Sequence, residues 1–325
     1  MRFISCGESL IDLTRQPGGD AAATPWLARS AGSPANTAVG LARLGRPTRL
    51  LTRLGSDGFA DQLADYLASR GVDLSLAARG REPTALAIVS IDTDGQPAYA
   101  FHFAGTASFG WRAEELPAPE ADTWLHLASI GWVLEPGAGV LRQWLAATAT
   151  GWAGLSFDVN VRPAVIDRPD RYRAAVEPVL RIVGAAGGIL KASAEDLAFL
   201  APQGRSGDLS AAVRAGRAWH SAFELAAVVV TAGRDGAFAV DRSGALHRAH
   251  GIPVAVVDTI GAGDAFMAGF LDAWADAPGD WSTALRRGVA AGSVACQRPG
   301  AEPPTATELA GCFLNPASGR SATAP

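Results

Sequence analysis

The strongest constraint on the fold is an alternation that runs along nearly the whole chain. Short apolar runs at 2–6, 49–54, 155–158, 188–190 and 228–231 read as buried strands, and stretches at 34–44, 59–70, 136–148 and 170–183 read as helices. Ser33 suits an N-cap with Pro34 at the first helical position. Phe59, Leu63, Tyr66 and Leu67 share one helical face before Gly71 supplies a stop. Strands alternating with helices predict a parallel sheet covered on both faces. At 325 residues the chain is one large domain or a domain with an attachment, and it can bury a core without staples. The stretch 84–103 breaks the rhythm. Leu86, Ile88 and Ser90 precede Asp92-Thr93-Asp94-Gly95, and Ala98, Tyr99, Phe101 and Phe103 follow it, which predicts an antiparallel hairpin. Such a piece could be a lid over a crevice or an ordinary sheet edge. No internal repeat is evident, and the Pro-, Ala-, Ser- and Gly-rich end beyond 315 predicts a disordered tail.

Charge and rare residues narrow the chemistry. A formal net charge of −4 leaves no electrostatic footprint for nucleic acid. Lys191 is the single lysine among 28 basic residues, and Ala192 follows it. That excludes a P-loop Gly-Lys-Ser/Thr and the Val-Ala-Ile-Lys strand of protein kinases. An arginine-biased, GC-rich genome accounts for the rarity of lysine but not for its survival at one place. Cys6, Cys296 and Cys312 are odd in number and widely spaced, which suits a reduced, intracellular protein. The five histidines show no His-Glu-x-x-His spacing, so no zinc site is expected. The N-terminal stretch carries Glu8 and Asp12 and does not read as a signal peptide. No apolar run approaches the roughly 18 residues of a membrane span. A cytoplasmic protein with no membrane or nucleic-acid partner is the expectation.

The most informative local pattern is Asp258-Thr259-Ile260-Gly261-Ala262-Gly263-Asp264, followed by an apolar helical run from Ala265 to Phe270. The N–H groups of Gly261, Ala262 and Gly263 would be unpaired at the helix start and, with the helix dipole, form an anion hole. Phe266 stands where a dinucleotide fingerprint needs its third glycine. Asp264 beside an anion site suits a base that takes a proton from a hydroxyl attacking phosphate. Alternatively, it only complements the helix N-terminus.

These residues resemble the C-terminal signature of the ribokinase-like (PfkB) carbohydrate kinases, and further matches follow in that family's order. Gly7-Glu8-Ser9-Leu10-Ile11-Asp12 is similar to its opening strand, and Gly32-Ser33-Pro34-Ala35-Asn36 to its first signature. Phe157-Asp158-Val159-Asn160-Val161-Arg162-Pro163 resembles a segment of fructokinases and 2-keto-3-deoxygluconate kinases. Lys191-Ala192-Ser193-Ala194-Glu195-Asp196 resembles the metal-associated segment, and Thr231-Ala232-Gly233-Arg234-Asp235-Gly236 the nucleotide turn. The resemblance spans about residues 3–310. It implies a doubly wound α/β body over 1–312, a small antiparallel β lid from about 12–31 and 84–104, and a tail at 313–325. The implied reaction is MgATP plus sugar giving sugar phosphate and ADP, with Asp264 as base and Gly261, Ala262 and Gly263 stabilising charge. Asp12, Gly32, Asn36, Phe101, Phe103, Asn160 and Arg162 would meet the sugar. Arg162 could instead reach the phosphates or form a structural ion pair, and the two phenylalanines could be lid core. Lys191, Ser193, Thr231, Gly233 and Gly236 would meet ATP. Glu195 and Asp196 would meet Mg2+ through water, and Asp258 with the Ile260 backbone matches part of a K+ site.

Two positions depart from the family pattern. Ala31 replaces a glycine, and Asp196 stands where a glutamate is usual. The segments 126–130, 134–138 and 83–101 are similar to fructokinases. No arginine lies between Arg81 and Arg112, so this part of the lid offers no fork for a substrate carboxylate. D-Fructose is the expected acceptor. 2-Keto-3-deoxygluconate, ribose, a nucleoside, or a non-catalytic sugar or nucleotide sensor are the alternatives. The lid's apolar residues permit a homodimer. Lys191 is expected to neutralise phosphate, to order Glu195 and Asp196, or to serve the strand end.

Overall fold

The computed structural model describes residues 1–20, 22–91, 97–201 and 209–314. Its strands are β1 (Arg2–Cys6), β2 (Leu10–Arg15), β3 (Trp26–Ala31), β4 (Thr48–Leu51), β5 (Arg53–Leu54), β6 (Ala78–Arg79), β7 (Ala85–Ile91), β8 (Pro97–His102), β9 (Thr123–Ala128), β10 (Gly154–Asp158), β11 (Ile189–Ser193), β12 (Ala227–Thr231), β13 (Ala237–Asp241) and β14 (Leu246–Ala249). Its helices are α1 (Ser33–Arg43), α2 (Gly58–Ser69), α3 (Gly137–Thr148), α4 (Pro169–Ala185), α5 (Ala194–Leu200), α6 (Leu209–Phe223), α7 (Ala262–Asp276), α8 (Trp281–Ala295) and α9 (Ala306–Leu314).

The main sheet has the order β14-β13-β12-β11-β10-β9-β1-β4. β4 through β12 in that order run parallel, and β13 and β14 are antiparallel additions. The chain moves from β1 outward to β4, then returns to β1's other side as β9, so the direction of winding reverses between β1 and β9. Strand side chains alternate between faces. Ile4, Leu125, Phe157, Leu190 and Val228 pack with residues of α3, α4, α5 and α6. Phe3, Trp124, Ile189 and Val229 pack with Phe266 and Phe270 of α7 and Leu285 of α8. On this second face the sheet turns polar toward its carboxyl end. Ser5, His126 and Ser156 are register neighbours, as are Asp158 and Lys191, and all five are buried. Burial, with the Lys191 charge behind it, holds the His126 imidazole neutral, with its pKa lowered to about 3.

A second sheet, β3-β2-β7-β8, stands beside the first. β2–β3 and β7–β8 are antiparallel, but the central pair β2–β7 is parallel, so this sheet is not wholly antiparallel as expected. The reason is connectivity: β7 reaches β2 through the crossover that contains α1 and α2. The turn expected at Asp92–Gly95 lies outside the described residues. The run 49–54 divides into β4 and β5, because the Thr52 hydroxyl between them donates to the Gly7 carbonyl at 2.9 Å and β5 pairs with β6 instead. α1 starts one residue earlier than expected, with Gly32 rather than Ser33 at the N-cap. α9 continues to Leu314, so the first two residues of the expected tail are helical, and 315–325 lie outside the described residues. Among the described residues no helix is long and apolar enough to cross a membrane.

Candidate active site

The carboxyl ends of the parallel strands, the N-termini of α1 and α7 and one face of the second sheet enclose a cleft of about 1310 Å³. It lies where the winding reverses, the place at which open α/β sheets bind ligands. All of the site residues expected from sequence line it, from Asp12 and Asn36 at one end to Thr231 and Gly236 at the other.

Asp264 is 6% exposed and stands in the first turn of α7. The Ser33 hydroxyl donates to its Oδ1 at 2.6 Å, and the Asn36 amide donates to its Oδ2 at 2.8 Å. Both donors belong to α1, which packs against α7. This long-range contact is what takes Ser33 out of the capping role. Gly261 caps α7 with a left-handed φ of 73°, and a Cβ there would meet the Ala301 Cβ at 2.5 Å. The open N–H set differs from expectation at one position. The Ala262 N–H turns back to the Thr259 carbonyl at 3.2 Å, because the chain makes a tight turn there. Among the described residues the N–H groups of Gly261, Gly263 and Asp264 remain without partners.

The end of the cleft nearer the second sheet holds a balanced set of charges. Asp12 faces Arg29 across the β2–β3 pair. Burial pushes the Asp12 carboxyl up to about 6, although Arg162 and Arg29 pull the other way. Glu8, which follows β1 at the winding reversal, accepts the Gly131 N–H at 3.0 Å, and burial pushes it up to about 7. Arg162 donates to the Asn160 side chain at 2.5 Å and to the Val161 carbonyl at 3.1 Å. Asn160 holds this loop with a left-handed φ of 41°. Phe101 and Phe103 contact each other with ring centroids 5.0 Å apart, and Phe103 continues into Phe109, so they are both cleft wall and core.

At the other end Ser193 caps α5 and accepts the Asp196 N–H at 3.0 Å. Asp196 returns a bond from the Ser193 N–H at 2.7 Å and accepts the Val161 N–H at 2.9 Å. Both of its oxygens are thus engaged by backbone, which fits a metal contact poorly. Glu195 is exposed at the cleft wall, and its carboxylate has no hydrogen-bond or ion-pair partner among the described residues. Asp258 ties Ile260 to Gly300, accepting their N–H groups at 3.0 and 2.8 Å. No group of three or more His, Cys, Asp and Glu side chains is placed to hold a metal ion among the described residues. Lys191 orders neither Glu195 nor Asp196. Its ammonium donates to Asp158 Oδ2 at 2.8 Å, since cross-strand register sets these two side by side.

Sequence reasoning gave no role to Ser33 in holding Asp264, to Glu8, to Arg29 or to Asp158. Ser33, Glu8 and Asp158 lie inside the motifs quoted above, and Arg29 lies outside them. Arg29 places a cation on the second sheet from β3, whereas β7 and β8 carry no arginine or lysine.

A buried carboxylate beside open helix N–H groups, at the winding reversal of a doubly wound sheet with a second sheet across the cleft, defines a sugar kinase of the α/β class. The chain belongs to the pfkB family carbohydrate kinases, whose description matches residues 2–308. The fructokinase of Klebsiella pneumoniae is 31% identical over 266 residues, covering 82% of this chain and 81% of that protein. The crystal structure of a fructokinase from Xylella fastidiosa with bound ATP superposes with a TM-score of 0.81 at 26% identity, covering 98% of this chain and 99% of that one. A double mutant of the Vibrio cholerae fructokinase, bound to fructose, ADP and potassium ion, gives 0.79 at 25% identity, covering 96% and 97%.

Proposed function

We propose that the chain transfers the γ-phosphoryl group of MgATP to a hydroxyl of D-fructose. The observation that carries this reading is Asp264, buried and held by Ser33 and Asn36 beside the open N–H groups of Gly261 and Gly263. Relatives named fructokinase support the choice of sugar. Asp264 takes the proton as the sugar oxygen forms its bond to the γ-phosphorus. The bond from that phosphorus to the bridging oxygen breaks, and ADP leaves with the electron pair. The N–H groups at the start of α7 face the charge that develops, and they are fixed before the reaction begins. Asp12, Asn36 and Arg162 fix the sugar hydroxyls, with Gly32, Asn160, Phe101 and Phe103 shaping the pocket. Ser193, Thr231, Gly233 and Gly236 line the nucleotide's path. Mg2+, which arrives with ATP and neutralises phosphate charge, would be met through water by Glu195. K+ would be met by backbone carbonyl groups of the turn at Asp258–Ile260, since both Asp258 carboxylate oxygens already accept N–H groups.

The same reading places the enzyme in the cytoplasm, where ATP is supplied. It also pairs two copies through the second sheet, where Trp26, Leu27 and Tyr99 stand exposed. Trp26→Glu should then halve the mass in solution.

The deciding experiment is a coupled ADP-release assay over fructose, 2-keto-3-deoxygluconate, ribose and a nucleoside, with and without potassium. Fructose should give the highest kcat/KM, with stimulation by K+. Preference for another acceptor would replace the sugar assignment, and binding without turnover would make the protein a sensor.

A further inference from the structure

Lys191 lies in the cleft wall yet is only 3% exposed. An ammonium carries three N–H donors. Asp158 takes one of them, and no described residue takes the other two. Asp158 is itself fully buried, and its Oδ1 has no partner. Burial opposes the charge on Lys191, but Asp158, Asp196 and Asp264 together more than offset it, so the group stays an ammonium.

The pair meets the first turn of α7. A Cβ built on Gly263 would stand 2.9 Å from Lys191 Nζ. Gly263 is not among the glycines with positive φ, so its backbone does not require glycine. The ammonium, held in place by Asp158, crowds the position a Cβ would take.

The geometry assigns Lys191 as a positioning residue of the anion hole: clamped by Asp158, its ammonium stands 2.9 Å from where a Cβ of residue 263 would be and adds positive charge beside the open N–H groups of α7. This rests on the phosphoryl-transfer reading above and extends it to a residue of β11. A fixed cation there reinforces the helix dipole and needs no rearrangement as charge develops. An arginine fork is too broad for the space.

Lys191→Met is one atom shorter and uncharged, and it vacates the position of Nζ. Wild-type turnover over the sugar panel decides the sugar by itself, whatever the variant does. Calorimetry then compares ADP alone with ADP plus aluminium fluoride, an anionic mimic of the transferring group, in both proteins. ADP affinity should stay within about threefold, while affinity for the mimic and kcat should each fall about 100-fold. Equal weakening of ADP and the mimic, or no weakening, overturns the assignment. Should Lys191→Met fail to fold, Asp158→Asn/Lys191→Met, which removes both buried charges, takes its place. Gly263→Ala supplies the second test. It should lower kcat by about 100-fold in the wild type and by under about threefold in the Met background. Equal losses in the two backgrounds overturn the claim that the lysine is what requires glycine at 263.

Discussion

Asp196 and Asp264 occupy the same place on two helices. Each is the third residue after the N-cap, each is buried, and each lies beside the cleft. Their fates diverge at the cap. Ser193 has a side chain that bonds the Asp196 N–H, and the Asp196 carboxylate closes the reciprocal bond to Ser193, so the helix satisfies itself. Gly261 has no side chain to offer. Asp264 is therefore not drawn back onto its own backbone, and donors from another helix hold it. Whether an acidic residue in a first turn closes onto its own helix or is held by another is decided here three residues earlier.

The comparison can be broken most severely at Asp264. Asp264→Asn should lower kcat by about 10³-fold or more, with the far-UV spectrum and melting curve unchanged, since an amide fits the same space but accepts no proton. Near-normal turnover would remove the base from the mechanism. Removing the foreign donors tests how much their grip matters. Asn36→Ala should lower kcat by about 100-fold and Ser33→Ala by about tenfold, because an unsteered carboxylate meets the hydroxyl less often in the right orientation. Stopped-flow single turnovers would separate this from product release.

The contrasting substitution, Asp196→Ala, should act on stability. It leaves the Ser193 and Val161 N–H groups without acceptors, at a cost of about 2 kcal/mol. Urea unfolding should show the loss while kcat changes little, and a kcat loss as large as that of Asp264→Asn would erase the contrast. The smallest effect concerns Asp12, which has neither kind of partner. Its folded pKa of about 6 lies above its unfolded value, so its contribution is fully present below the unfolded pKa and is lost as pH rises through 6. Asp12→Asn should raise the melting temperature by a few degrees at pH 8 and leave it unchanged near pH 3.

Much of the fold was legible because it depends on local period. β1 and the core of every expected helix follow from alternation or from the 3.6-residue repeat. The site was legible as a set of motifs, and the cleft gathers them. What escaped is pairing between distant positions. Ser33 before Pro34 looks like a cap until Asp264, 231 residues on, takes its hydroxyl. Lys191 has two acidic residues close by in sequence, yet strand register gives it Asp158. Arg29 enters the cleft only because β3 lies beside β2. None of these contacts leaves a periodic trace.

The parallel join of β2 to β7 bears on how the molecule assembles. Leu10 can meet Ala85 only when the intervening chain, which includes α1 and α2, has closed a long loop. Contacts so far apart along the chain form late, since loop-closure entropy must be met first. The wall that carries Asp12 and Phe101 is therefore completed after the local hairpins β2–β3 and β7–β8 that build its two halves. If the proposed sugar seats against this wall, it binds only the assembled sheet, and protection of the β2 and β7 amides from hydrogen exchange should rise with its concentration.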